Sequence, residues 1–214
     1  EHLDDIRSAA DDCELFIFNG DIFDFQWSLH GGFEASAEKA EEWIRDMAAT
    51  HSQTHFVFLL GNHDSVPAYC AVLDALQDEL PNLEWHAESY RHGSKLFLHG
   101  DVYHGGASSA DLARYRRTCN LRLKYSWFRH ACYRLFAQSG LPAIFLRFSR
   151  KETSAKRVLA YLHHELGEEF EQVDEIYFGH VHTPFTDFRY GGKLFHNTGS
   201  ATKGMRLTVL RFAL

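Results

Sequence analysis

The chain has 214 residues, 45% of them hydrophobic and 24% charged, with a formal net charge of −7. That length suits one sizeable domain with a buried core rather than two, and the composition is that of an ordinary soluble globular protein. Four scattered cysteines (Cys13, Cys70, Cys119, Cys132) without a C-x-x-C pair fit thiols in a reducing compartment better than a disulfide framework, and no apolar run approaches the roughly 18 residues that span a bilayer.

In chain order, Glu1–Asp12 reads as a helix and Glu14–Asn19 (ELFIFN) as a buried strand stopped by Gly20. Phe33–His51 has helical spacing, with Trp43, Ile44 and Met47 on one side. His55–Leu60 is a second buried strand, stopped by Gly61, and Pro67–Leu80 reads as a helix with proline in its first turn. Lys95–His99 and Glu175–Phe178 are two further strands running into glycine. The segment 111–172 is mostly helical, broken near Gly140-Leu141-Pro142. From Phe185 onward the pattern turns antiparallel: PFTDFRY, the turn Gly191-Gly192, KLFHN, then MRLTVLRF. The expectation is a single α/β layered domain over 1–214, with a basic helical insert over 107–172.

The chemistry lies at the carboxyl end of each strand, because ligands of open α/β sheets bind there. The first strand leads into Gly20-Asp21-Ile22-Phe23-Asp24 and the second into Gly61-Asn62-His63-Asp64. The third delivers His99-Gly100-Asp101 and the fourth Gly179-His180-Val181-His182. Carboxylate, amide oxygen and imidazole together suit borderline divalent metals such as Mn, Zn, Fe or Co. A lone strand-end Asp or His is more often a cap or turn residue. Four such groups in this order, each after a buried strand, are not.

These four motifs, GD-x-x-D, GNHD, HGD and GHVH, resemble those of the calcineurin-like metallophosphoesterases over most of the chain. The resemblance implies a four-layer α-β-β-α sandwich with a dinuclear site. It further implies that Asp21 bridges two divalent ions, manganese foremost, that Asn62, His99 and His180 complete one site, and that His182 belongs to the other. His63, oriented by Asp24, would face the phosphate and aid the leaving group, and Asp101 would support the ligand loop. Two metals about 3.5–4 Å apart clamp the phosphate and activate water near neutral pH, so no protein nucleophile is needed. The family's first motif, Asp-x-His, does not precede Asp21. Either an N-terminal strand is missing or the chain is a one-metal or inactive variant; because the chain opens on Glu1 rather than methionine and the other motifs are intact, the expectation is a missing strand.

Charge is unevenly laid out. Between Asp111 and Arg157 stand twelve basic residues and two acids, in a chain whose totals are 22 and 29. Aromatic and aliphatic side chains interleave this block, among them Tyr115, Tyr125, Trp127 and Phe128. Its position between HGD and GHVH resembles the UDP-2,3-diacylglucosamine hydrolases, although those enzymes usually carry arginine where His63 stands. On that likeness the block would form a lid taking an anionic phosphate-containing small molecule or lipid, with Asn62, Arg114, Arg116, Arg117 and Arg122 on the substrate and peripheral contact with the inner membrane face from the cytoplasm. An amphipathic hairpin packed on the sandwich is the plainer reading of the same block. A nuclease or nucleotide phosphodiesterase, and a non-catalytic scaffold binding membrane or protein, stay open as alternatives, nucleic acid being the weaker partner. His30, His51, His55, His163 and His164 read as surface or cap residues, and His104 and His196 as candidate neighbours of the site.

Overall fold

The computed structural model describes residues 3–11, 13–28, 30, 32–121, 151–200 and 208–212. They fall into two compact units, one of Glu1–Glu88 with Arg116–Tyr125, the other of Ser89–Tyr115 with Ser126–Leu214. Each unit has its own sheet and its own apolar core, so the α/β character expected from the sequence holds in both.

In the first unit, β1 (Leu15–Asn19), β2 (His55–Leu59) and β3 (Leu83–His86) are parallel, in the order β1-β2-β3. Helix α1 (Leu3–Ala10) precedes them, and α2 (Phe33–Thr50) and α3 (Pro67–Glu79) are the crossovers. β2 is buried over Phe56–Leu59 because it is the central strand. Phe18 stacks on Phe58 at 4.5 Å between centroids and meets the edge of Trp43 from α2. Ile44, Met47, Tyr69, Leu73 and Leu76 close this core. Parallel pairing puts the carboxyl ends of β1 and β2 at one edge of the sheet, where Gly20-Asp21 and Gly61-Asn62 leave it.

The second unit has a mixed sheet, β4-β5-β6-β8-β7, of β4 (Ser89–His92), β5 (Lys95–Leu98), β6 (Glu175–Phe178), β7 (Phe185–Tyr190) and β8 (Lys193–Asn197). β5, β6 and β8 are parallel, and β4 and β7 are antiparallel edges joined to their neighbours by tight turns. The short helix α4 (Val102–Gly105) follows β5, and α5 (Ser109–Leu121) comes next. α6 (Lys151–Leu166) buries Val158, Tyr161 and Leu162 among Phe170, Ile176, Phe178 and Phe195.

Boundaries match the sequence reading to within a residue or two for the apolar strands and for α2 and α3. β3 and β4 are strands that the periodicity does not reveal. Each is four residues long, and Glu84, His86, Arg91 and His92 dilute the apolar signal. The expected final strand starts outside the described residues, and 208–212 carry no strand. Residues 122–150, which include Arg122 and the middle of the expected insert, lie outside them as well. No helix among the described residues is long and apolar enough to cross a membrane.

The C-terminal part of α5 belongs to the first unit, where Arg116 is buried. Its guanidinium donates to the main-chain carbonyls of Leu60, at 2.7 Å, and Ala87. One turn later Asn120 Nδ2 donates to Ser65 O at 2.7 Å. The two side chains grip both flanks of Gly61–Asp64, so Arg116 serves main-chain carbonyls while Arg114 and Arg117 stay exposed. Arg116→Met should strand two acceptors and lower unfolding stability in urea by about 2–4 kcal/mol, whereas Arg117→Ala should stay within about 0.5 kcal/mol. Equal effects would show that Arg116 is not a structural pin.

Candidate metal centre

In the first unit, Asp21 stands directly after β1 in the left-handed region at φ 53°, following Gly20 at φ 80°. Non-glycine residues rarely adopt that conformation, and each instance costs on the order of 1–3 kcal/mol unless its surroundings enforce it. The surroundings do enforce it. Asp21 Oδ1 accepts the His63 main-chain N–H at 2.7 Å. Asp64, 1% exposed, accepts from Gly61 N at 2.6 Å through one oxygen and from Ile22 N at 3.1 Å through the other. One carboxylate therefore ties the loop after β2 to the loop after β1.

Asn62 is held at 5% exposure, and Gln26 Nε2 donates to its main-chain carbonyl at 3.0 Å. Its side-chain oxygen is buried and has no hydrogen-bond partner among the described residues. An unsatisfied buried amide oxygen costs about 1–3 kcal/mol, a cost that coordination of a cation removes. The residues of this loop thus fit a divalent ion. His63 is part-exposed, and its Nδ1 lies 2.9 Å from Asp24 Oδ1. Asp24 is itself fixed as the N-cap of the short 3-10 turn Phe25–Trp27, where it accepts from Gln26 N. With the carboxylate as acceptor, Nδ1 of His63 carries the proton and the tautomer is set.

In the second unit, His99 directly follows β5 and is 3% exposed. Gly179 N donates to His99 O at 2.8 Å, which carries the β5–β6 pairing one step further and brings the loops after the two strands side by side. Gly100, at φ 100°, has no room for a side chain, since a Cβ there would meet Phe178 at 2.9 Å. His180 and His182 are both left-handed, at φ 61° and 56°. A main-chain bond from Val181 N to Gly179 O at 2.7 Å makes a three-residue turn around His180. Asn197 holds this loop from β8, donating to Gly179 O at 2.7 Å and accepting from Gly199 N at 2.8 Å.

The imidazoles of this unit converge. His180 Nδ1 lies 3.3 Å from His99 Nε2, and His180 Nε2 lies 2.8 Å from His104 Nδ1. Burial, and then the nearby positive charge of Arg157, push His104 below the ordinary histidine pKa, with Asp101 opposing. Asp101 is 1% exposed, and its carbonyl accepts from the N–H groups of His104 and Gly105 at the start of α4. His196, the other candidate neighbour, stacks on Tyr177 at 4.4 Å, and burial lowers its pKa too. His51 caps α2, and the ring of His163 packs on Phe170.

The sequence points to Asp21, Asn62, His63 and Asp24, and the first unit gathers them with Asp64, whose role the motif alone does not indicate. An acid next to a strand-end glycine loop is the available signal. The sequence also points to His99, Asp101, His180 and His182 in the second unit, where His104 proves to touch His180. Arg114 pairs with Asp111 one turn away on α5 at 3.0 Å.

No curated protein matches the chain. The family model for calcineurin-like phosphoesterase matches residues 1–184. That match covers most of the chain, which belongs to the calcineurin-like phosphoesterases, metal-dependent hydrolases of phosphate esters.

Proposed function

We propose that the protein uses two divalent ions to hydrolyse a phosphodiester or pyrophosphate bond, with Asp21, Asn62, His99, His180 and His182 as the ligands. The observation that carries this reading is Asn62 Oδ1, a buried acceptor with no partner among the described residues, next in sequence to a histidine held by a carboxylate. Bound ions of the manganese, zinc, iron or cobalt type supply Lewis acidity and ease the deprotonation of water.

The chain's own residues do the rest. His63, with its Nδ1 proton on Asp24, presents Nε2 chemistry to the phosphate and assists departure of the leaving group. The Asp64 and Arg116 contacts fix the loop that carries Asn62 and His63, so the donors need no rearrangement during the reaction. Two carboxyl groups in this unit thus have separate tasks: Asp64 holds main chain, and Asp24 orients a ring.

For the substrate, the basic, aromatic-rich sequence block favours an anionic head on an apolar body, of the UDP-diacylglucosamine type, with Arg114, Arg117 and Arg122 meeting the phosphates. The exposure of Arg114 and Arg117 on α5 supports that reading. Concentrated cations raise the local concentration of a phosphate and do so less as salt rises.

Chelation should abolish hydrolysis of bis-p-nitrophenyl phosphate, and added manganese should restore it; activity that survives complete removal of metal would refute the reading. His63→Ala should lower kcat by about 10²–10⁴-fold with metal content unchanged, while Asn62→Ala and His99→Ala should lose metal first. Loss of metal from the His63 variant would make His63 a ligand instead. On UDP-2,3-diacylglucosamine, its deacylated analogue and single-stranded DNA, turnover should be fastest on the acylated substrate. Equal turnover with and without acyl chains, or preference for DNA, removes the lipid assignment.

A further inference from the structure

His180 has a hydrogen-bond neighbour at each ring nitrogen, and the two contacts differ in kind. Its Nδ1 lies 3.3 Å from His99 Nε2. Two nitrogens bound to one tetrahedral ion at about 2.0–2.1 Å stand about 3.3–3.4 Å apart, so this spacing is that of two ligands on a shared metal. The other nitrogen, Nε2, lies 2.8 Å from Nδ1 of His104, a short hydrogen bond. If Nδ1 of His180 faces the ion, its Nε2 carries the proton, and His104 Nδ1 must accept it.

We infer that His104 is a positioning residue for the metal centre: its Nδ1 accepts the Nε2–H of His180, fixing the tautomer and ring orientation with which His180 binds the ion. The inference rests on His180 being a ligand, as proposed above.

His104 is built to do this. It sits on α4, whose first turn is anchored by bonds from His104 N and Gly105 N to Asp101 O, at 2.9 and 2.8 Å. Its ring is held by Tyr103, edge-on at 4.7 Å, and by Tyr115, stacked at 6.2 Å. Tyr103 is in turn held by Arg157 of α6, which lies over the ring at 4.4 Å and donates to the Tyr103 carbonyl. Gly105 allows this tight turn, since a Cβ there would meet Leu112 at 2.9 Å. His104 lies on the nitrogen of His180 that points away from His99.

The acceptor, rather than the ring, is what matters here, and it can be tested without reference to turnover. Asparagine places an amide oxygen close to where Nδ1 of histidine lies. Zinc affinity would be measured by chelator competition on the wild type, His104→Ala and His104→Asn, with circular dichroism to verify folding, and the visible spectrum of the cobalt-loaded forms recorded beside it. His104→Ala should bind zinc about 10–100-fold more weakly at unchanged stoichiometry with a shifted cobalt spectrum, and His104→Asn should recover most of both. Unchanged affinity in His104→Ala, or no recovery in His104→Asn, overturns the inference while leaving the proposed function intact. Loss of a whole equivalent of metal in His104→Ala overturns it in favour of direct ligation by His104. A wild type that binds no zinc, manganese or cobalt removes the proposed function and this inference together.

Discussion

The Asp64 carboxylate is the constraint on which the first unit's chemistry depends. By accepting from Gly61 N and Ile22 N at once, it joins the loops after β1 and β2 across a sequence separation of 42 residues. Without that bond neither the left-handed Asp21 nor the buried Asn62 would have reason to persist, because each is unfavourable alone. Asn197 plays the corresponding part in the second unit, where its amide bridges Gly179 O and Gly199 N. In both places a buried polar side chain satisfies main-chain groups at the carboxyl end of parallel strands, and the donor loops take their shape from it.

Strain is concentrated where the metal chemistry is expected. Four non-glycine residues have positive φ among those described, and three of them are Asp21, His180 and His182. Glycine meets such positions at no steric cost, and among other residues asparagine, aspartate and histidine adopt them most often. Keeping a carboxylate and two imidazoles there is intelligible if they bind cations, since coordination then offsets the free energy that the backbone conformation costs. Asp187, the fourth, lies in the irregular register between Phe185 and Phe188 of β7, which accounts for it locally.

Much of this is legible in the sequence, and the reason is physical. β1, β2, β5 and β6 are short apolar runs that stop at or near glycine, and it is the recurrence of an acid or imidazole after all four, not any one of them, that singles these loops out. β3 and β4 are not legible, because a four-residue strand carrying polar side chains gives too little apolar signal to stand out from a loop. In sequence Arg116 is one more cation of a basic block. Only the fold shows that α5 turns it inward onto Leu60 O and Ala87 O while its neighbours Arg114 and Arg117 remain in solvent. His104 lies five residues beyond His99, a spacing with no meaning until the turn at Asp101 brings it back toward His180.

The central claim is that the strand-end donors hold metal, and direct observation of the ions tests it most sharply. Anomalous scattering from a crystal grown with manganese should give a peak within coordination distance of Asn62 Oδ1, and density for the metal should likewise stand within coordination distance of His180 Nδ1. Diffraction that shows no peak at Asn62 Oδ1, with manganese present at saturating concentration, would contradict that claim.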